Sequence, residues 1–279
     1  MAPYTDPEPT GQFVPADIVN VCTSDGMFHT GALIRPARPT KPLSVLWIHG
    51  GGQNFYHPGY LRIGVAVAAH GYSFLSVNTR GHDYSGKRDC FETSSRDPVA
   101  WIDRLALLGY PRVVLIGHSF GGWRVVSYQA EHQDPRVCGL IIASTPVRKR
   151  QFFSHLPHYQ ERIDLAERMV AEGHGDQYMP LEHPQTATSF VSFDRAPMDI
   201  YGLEGAERLL DRVNCPVLAW FGTEGREPAI GTATDLELAR SNMPAGFPFQ
   251  TLVLEGAGHM YQGHEDDVAA SIVHWVDQL

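Results

Sequence analysis

The chain is expected to fold as an α/β protein, with a mostly parallel, doubly wound sheet of eight strands, helices on both faces and one inserted, mainly helical segment. Three observations predict this. Short β-rich runs alternate with helical periodicity through most of the 279 residues, the pattern of strand–helix–strand units. The runs are nearly continuous in apolar character, as strands covered on both faces require. One connection, from Thr145 to Cys215, is some seventy residues long, far beyond an ordinary crossover.

The first element differs from the rest. Asp17 to Thr23 and Thr30 to Arg35 flank Ser24-Asp25-Gly26, a turn signal, so they read as an antiparallel hairpin entering the sheet. The parallel strands then follow as Ser44 to His49, Ser73 to Asn78, Arg112 to Gly117, Val137 to Ser144, Pro216 to Gly222 and Phe249 to Glu255. Between them, Leu61, Val65 and Ala68 share one helical face, as do Trp101, Leu105 and Leu108. Val268, Ile272, Trp275, Val276 and Leu279 form the stripe of a closing helix, and Glu265, Asp266 and Asp267 suit its positive N-terminal end. The long connection predicts a helix from about His158 to Glu172, then a Pro- and aromatic-bearing stretch, then a second helix near Leu203 to Val213. This divides the chain into a core of residues 1–145 and 214–279 and a cap of residues 146–213.

Composition narrows the function classes. With 22 Lys+Arg against 31 Asp+Glu, a formal charge of -9, the chain lacks the basic surface that tracks phosphate backbones, so no nucleic-acid partner is expected. The one dense basic run, Arg148-Lys149-Arg150, is too short to reverse that. No window approaches the length of an apolar membrane span, and the N-terminus has no basic region followed by an apolar stretch. A cytoplasmic protein acting on a small molecule is the expectation. Cys22, Cys90, Cys138 and Cys215 are widely spaced and make no metal-ligand pattern, so they read as buried thiols. No metal and no organic cofactor is implied.

The chemistry is carried by three short motifs. Gly117-His118-Ser119-Phe120-Gly121 follows a strongly apolar strand and precedes a helical pattern. A serine on a sharp strand-to-helix turn is presented as a nucleophile, and small residues two positions to either side let the strand and helix approach. His49-Gly50-Gly51-Gly52 follows the Ser44 strand, where backbone N–H groups unobstructed by a Cβ can turn toward a developing oxyanion. The donors assigned are the N–H groups of Gly51, with Gly52 as alternative, and of Phe120; His49 itself is expected to brace the loop. Gly256-Ala257-Gly258-His259-Met260 places a histidine just beyond the last strand, 140 residues after Ser119. Of the 14 histidines, His259 is the expected base, with His264 the nearest competitor.

The third member belongs in Thr223-Glu224-Gly225-Arg226-Glu227, after the Pro216 strand, by the chain order Ser, acid, His. Glu224 is favoured and Glu227 remains open. The other position available to an acid, after the strand ending at Ser144, holds Thr145-Pro146.

These motifs in this order resemble the α/β-hydrolase superfamily over the chain from Val14 to the C-terminus. More narrowly, HGGGQNFYHPGY, FLSVNTRGHD and WIDRLALLGYPRVVLIGHSFGG are similar to a group of fungal and bacterial serine hydrolases, the DUF1749-like or UPF0613-like proteins. The resemblance implies the α/β-hydrolase fold and a Ser–His–acid site, and little about substrate. The departure is TEGRE, where many such hydrolases carry Asp at the position of Gly225. A serine at position 119 disfavours dehalogenase and epoxide-hydrolase chemistry, which in this superfamily uses Asp there.

A carboxylic ester cleaved through an acyl-serine is the first expectation. The same residues would serve an acyltransferase, thioesterase or lactone-forming or lactone-opening enzyme, or the fold alone a non-catalytic receptor. Phe153, Tyr159, Tyr178, Met179 and Phe190 are candidate pocket walls, with Phe152, Phe193, Met198 and Tyr201 beside them; for any one of them packing within the cap is the commoner fate. Together they suggest a small to medium, partly aromatic substrate. Arg148 and Arg150 stand at the start of the cap, most simply as a solvated face.

Overall fold

The computed structural model describes residues 15–84, 89–180, 185–224 and 233–279. Eight strands form one sheet in the order β1-β2-β4-β3-β5-β6-β7-β8. The hairpin is β1 (Ala16–Cys22) and β2 (Phe28–Ile34), antiparallel to each other, and β2 is antiparallel to β4 (Ser73–Val77). From there the ladders are parallel through β3 (Leu43–Ile48), β5 (Arg112–His118), β6 (Val137–Ala143), β7 (Val217–Glu224) and β8 (Phe249–Gly258). The expected strands are all present, but β7 runs two residues past Gly222 and β8 three past Glu255. The extension brings β8 to the residue before His259.

Alternation along the strands builds two cores from one sheet. Leu46, Ile48, Leu115, Leu140, Ile142 and Val217 point to one face, against Trp101, Ile102 and Leu105 of α2 (Arg96–Leu107) and Trp123, Val125 and Val126 of α3 (Phe120–His132). Val45, Trp47, Val114, Ile116, Ile141 and Trp220 point to the other, against α1 (Pro58–Ala69) and α8 (Glu265–Val276). Each such aliphatic side chain contributes about 1.5–3 kcal/mol when fully buried, so neither face can be stripped of its helices.

The stripe expected on α1 is displaced. Tyr60, Ile63, Gly64 and Val67 face the sheet, while Leu61 and Val65 are only partly buried. This helix is apolar nearly all round, so periodicity alone does not select a face. The close approach at Gly64, where a Cβ would lie 2.5 Å from Phe74, decides it. The stripes of α2 and α8 fall as expected at Trp101 and Leu105 and at Val268, Ile272, Trp275 and Val276, while Leu108 and Leu279 lie just past the helix ends and are partly buried.

Between β6 and β7 lie α4 (Lys149–Ser154), α5 (Tyr159–Ala171), α6 (Ala187–Arg195) and a 3-10 turn at Leu209–Arg212. The helix expected at Leu203 to Val213 is only that turn. A genuine helix stands instead in the aromatic stretch, started by Thr186, whose side chain accepts from the Ser189 N–H at 3.2 Å. This insertion is not a separate ball. Phe153, Phe193, Met198 and Tyr201 join the core on the α3 side of the sheet, while Ile163, Ala166, Met179, Ala187, Phe190 and Val191 make a small cluster between α5 and α6. Lys149 is buried, and its Nζ donates to the carbonyls of Phe193, Asp194 and Ala196 at the end of α6. A cation there completes orphan carbonyls and meets the negative end of the helix dipole.

The four cysteines are free, but only Cys215 is buried; Cys22 is exposed and Cys90 and Cys138 are intermediate. The expectation of four buried thiols is therefore corrected. Position on an edge strand explains Cys22, whose side chain lies on the solvent face of β1.

Candidate active site

The order of the sheet sets the position of the site. β3 leads outward to β4, and the chain then returns to place β5 on the other side of β3. The loops after β3 and β5 therefore part company at their carboxyl ends, which is where open α/β sheets bind ligands. Gly50 to Gly52 and Ser119 occupy those two loops.

Ser119 sits between β5 and α3 with φ 54° and ψ -123°. This backbone conformation is sparsely populated for a side chain-bearing residue and costs of order 1–3 kcal/mol, so the surroundings must impose it. They do so through close packing. A Cβ on Gly117 would lie 2.3 Å from the Gly121 carbonyl oxygen, and one on Gly121 would lie 2.6 Å from that of Ile48. The glycines two residues either side of the serine are thus required by contact between backbones, as the motif led one to expect.

The β3 loop lies directly against the serine. A Cβ built on Gly50 would meet the Ser119 Cβ at 2.9 Å and Oγ at 3.4 Å, and one on Gly51 would meet the Phe120 ring at 3.6 Å. Among the described residues no backbone acceptor takes the N–H of Gly51 or Phe120. His49 braces this loop: Nδ1 contacts the Gly50 carbonyl at 2.6 Å, and Nε2 receives the Thr79 N–H at 3.1 Å. The carbonyl can only accept, so Nδ1 carries the proton and Nε2 is the acceptor. Burial pushes the His49 pKa down to about 4, which keeps that neutral tautomer.

His259 follows the last residue of β8. Its ring lies 4.8 Å from that of His118, the residue before the nucleophile, and burial pushes its pKa down to about 4. The loop carrying it is anchored on both sides. His118 Nε2 meets the His259 carbonyl at 2.8 Å. Two residues on, the buried Tyr261 receives a hydrogen bond from Trp220 at 2.9 Å and donates to Ser144 at 2.7 Å. His264 is placed differently: it is the residue before α8 and pairs with Asp267 at 3.1 Å.

Glu224 is the last residue of β7 and exposed; its backbone is paired with Gly258. Gly225 and Glu227 lie outside the described residues. Thr145 is buried behind the serine helix, where a Cβ on Gly122 would meet its hydroxyl at 1.9 Å.

The aromatic residues of the insertion divide into groups. The Phe120 ring packs edge-on against Phe152 at 5.5 Å and against Phe153 and Phe193 at 6.2 Å. Tyr159 stacks on Phe153 at 5.4 Å and tilts against Phe190 at 5.9 Å. Met179 and Phe190 fill the α5–α6 cluster, and Tyr178 is exposed and bridged through its backbone to Thr186. Arg148 reaches Gln151 at 3.3 Å and Asp235 at 3.8 Å. Among the described residues no group of His, Cys, Asp and Glu is arranged to hold a metal ion, and no helix is long and apolar enough to cross a membrane.

Sequence reasoning passed over His118, Tyr60 and Tyr261. His118 was visible inside the motif, but its two partners come from α1 and from the loop after β8, which no local pattern connects.

A model of the alpha/beta hydrolase family matches residues 45–271. No curated protein matches the chain in sequence. Similar solved structures include a thermostable carboxyl esterase from Bacillus coagulans, in complex with glycerol, at 16% identity and TM-score 0.72, covering 94% of this chain and 98% of that one. Est1E from Butyrivibrio proteoclasticus, with ferulic acid bound, matches at 15% identity and TM-score 0.65, covering 92% and 98%. An esterase from Pyrococcus furiosus matches at 15% identity and TM-score 0.65, covering 98% and 96%. These likenesses are of fold.

Proposed function

The chain belongs to the alpha/beta hydrolase family, and from that premise we propose that it is a serine hydrolase cleaving a small to medium carboxylic ester with an apolar or aromatic part. The observation that carries this is the strained backbone of Ser119, packed against the Gly50 loop and preceded by a residue, His118, whose side chain bonds the His259 loop. A backbone of φ 54° and ψ -123° at a strand-to-helix turn closed in by Gly117 and Gly121 is what presentation of the serine hydroxyl calls for.

In this reading His259 takes the Ser119 hydroxyl proton as the oxygen attacks the ester carbonyl. The oxyanion rests on the N–H groups of Gly51 and Phe120, each worth roughly 3–4 kcal/mol of transition-state stabilisation. Collapse expels the alcohol, which takes the proton from His259 and leaves acyl-Ser119. Water, deprotonated by His259, then releases the acid. Glu224 or Glu227 orients the imidazole and balances its charge. No step calls for a metal or an organic cofactor.

We assign residues 146–213 as a cap over Ser119, because Phe152, Phe153 and Phe193 bring aromatic rings to Phe120, the residue after the nucleophile. Phe153 is the proposed wall that meets that ring, with Tyr159 stacked on it, Phe190 and Met179 supporting them from the α5–α6 cluster and Tyr178 toward solvent. The ferulic acid held by Est1E makes hydroxycinnamoyl esters an apt member of the test panel. Kinship with the DUF1749-like or UPF0613-like group, and a cytoplasmic location, are part of the same proposal.

The test is turnover of an ester panel, from acetyl to feruloyl, by wild type and Ser119→Ala, with fluorophosphonate labelling of both. Turnover and labelling confined to wild type support the reading. Ester turnover by Ser119→Ala at the wild-type rate overturns it.

A further inference from the structure

His118 is the last residue of β5, fully buried, and one peptide bond from Ser119. Its Nε2 lies 2.8 Å from the His259 carbonyl oxygen, and its Nδ1 lies 2.9 Å from the Tyr60 hydroxyl. A carbonyl oxygen only accepts, so Nε2 carries the proton. Nδ1 is then the acceptor, and the Tyr60 hydroxyl donates to it. Burial holds the His118 pKa well below the ordinary imidazole value, so the ring stays neutral and the tautomer is set by these two partners.

The placement is unusual for a core histidine. In the sheet, β6 and β7 intervene between β5 and β8, so no ladder hydrogen bond joins the nucleophile strand to the base loop. The His118 side chain makes that link directly. It also lies flat enough against Trp47, at 6.0 Å and 24°, and close enough to Tyr60 and Tyr261 that its ring has little freedom.

We propose that His118 is a positioning residue: it fixes the backbone of His259 relative to Ser119, and Tyr60 holds His118 in the one tautomer that can do so. The inference rests on the Ser119–His259 reading of the site. It adds that the position of the base relative to the nucleophile is set by the side chain of the residue before the nucleophile, which bonds the backbone of the base. Proton transfer requires the two groups within hydrogen-bond reach, so a shift of the His259 loop acts on the chemical step and leaves the pocket walls in place.

The experiment compares His118→Leu, His118→Gln and Tyr60→Phe with wild type, measuring kcat, KM and thermal unfolding on the best ester of the panel. His118→Leu keeps the volume and removes the donor, and its kcat is expected to fall about 100-fold, the scale of an ångström-sized misplacement, while KM stays within about two-fold. A Gln at the position can donate to the His259 carbonyl through its amide and accept from Tyr60, so His118→Gln is expected to recover most of the loss. Tyr60→Phe releases the tautomer and is expected to lower kcat by a smaller factor, again with KM preserved. Wild-type kcat in a folded His118→Leu, or a loss that appears in KM, overturns the proposal. So does a His118→Gln no better than His118→Leu. If His118→Leu does not fold, the remaining two variants decide: unchanged kcat in Tyr60→Phe together with a collapse of kcat in His118→Gln overturns it. Ser119→Ala, run alongside, separates the two levels. An active Ser119→Ala removes the underlying reading, whereas an inactive one beside a fully active His118→Leu removes only the positioning role.

Discussion

Glu224 is paired with Gly258 across β7 and β8, beyond a shift in register at the end of the ladder, so the backbone of one candidate acid runs beside the residue that precedes His259. On that backbone pairing we propose Glu224 as the third member of the site. Glu224→Gln is expected to lower kcat by about four orders of magnitude, as loss of the orienting carboxylate does in serine proteases, with Glu227→Gln close to wild type. Steady-state hydrolysis by the two variants measures this, and the reverse ranking would transfer the role to Glu227.

Strain at Ser119 predicts a trade of stability against activity. Its φ of 54° is tolerated by glycine and resisted by alanine as much as by serine. Ser119→Gly is therefore expected to be more stable than Ser119→Ala, by about 1 kcal/mol after glycine's added unfolded-state entropy is counted, as denaturant unfolding would measure, with both inactive. Equal stability of the two would mean the turn is not strained.

The base sets the acid limb of the rate. In the proposed mechanism His259 works as a neutral imidazole, so activity is lost as pH falls through its pKa. Burial pushes that pKa down to about 4, and a carboxylate held against the ring pushes it back up. The acid limb of kcat/KM is therefore expected to lie at lower pH in Glu224→Gln than in wild type. pH–rate profiles of the two free enzymes check it, and an unmoved limb would mean that Glu224 does not reach the ring.

His49 should make folding sensitive to acid. The unfolded imidazole protonates near 6.5 and the folded one near 4, so between those values the unfolded chain binds the extra proton and stability falls as pH falls. The full effect is on the order of 3 kcal/mol for this one side chain. Protonation would also turn Nε2 into a donor facing the Thr79 N–H. Denaturant unfolding of wild type and His49→Gln at pH 7 and pH 4.5 should show a smaller loss in the variant; equal losses would place the sensitivity elsewhere.

Lys149 joins the insertion to itself, donating to three carbonyls at the end of α6. Lys149→Met keeps the aliphatic stem and leaves those acceptors buried and unpaired, at a cost of roughly 1–3 kcal/mol. A fall of several degrees in unfolding temperature is expected, and an unchanged value would mean water substitutes for the ammonium.

The fold and the sharp turn at Ser119 were legible because they depend on local chemistry. Apolar runs of strand length identify strands whatever their order, and a serine between Gly117 and Gly121 after such a run can be read as an elbow without knowing what the glycines touch. The pattern at Leu203 to Val213 suggests a helix where only a turn stands, and the sequence does not reveal α6, because short segments packed onto a core are helical by virtue of their contacts rather than their propensity. The face of α1 was ambiguous for a related reason: a helix apolar all round is oriented by what it meets, here Phe74 against Gly64.

By itself the sequence determined the class of sheet, the strained serine, the glycine loop and the histidine beyond the last strand, since each is a property of a few consecutive residues. The tertiary structure decided what joins them. Only a sheet that sets β5 and β8 two strands apart gives His118 a carbonyl to hold, and only the extension of β7 past Gly222 carries Glu224 beside Gly258. Contacts between residues tens to more than a hundred positions apart are fixed by strand order and packing, which no short window of sequence encodes.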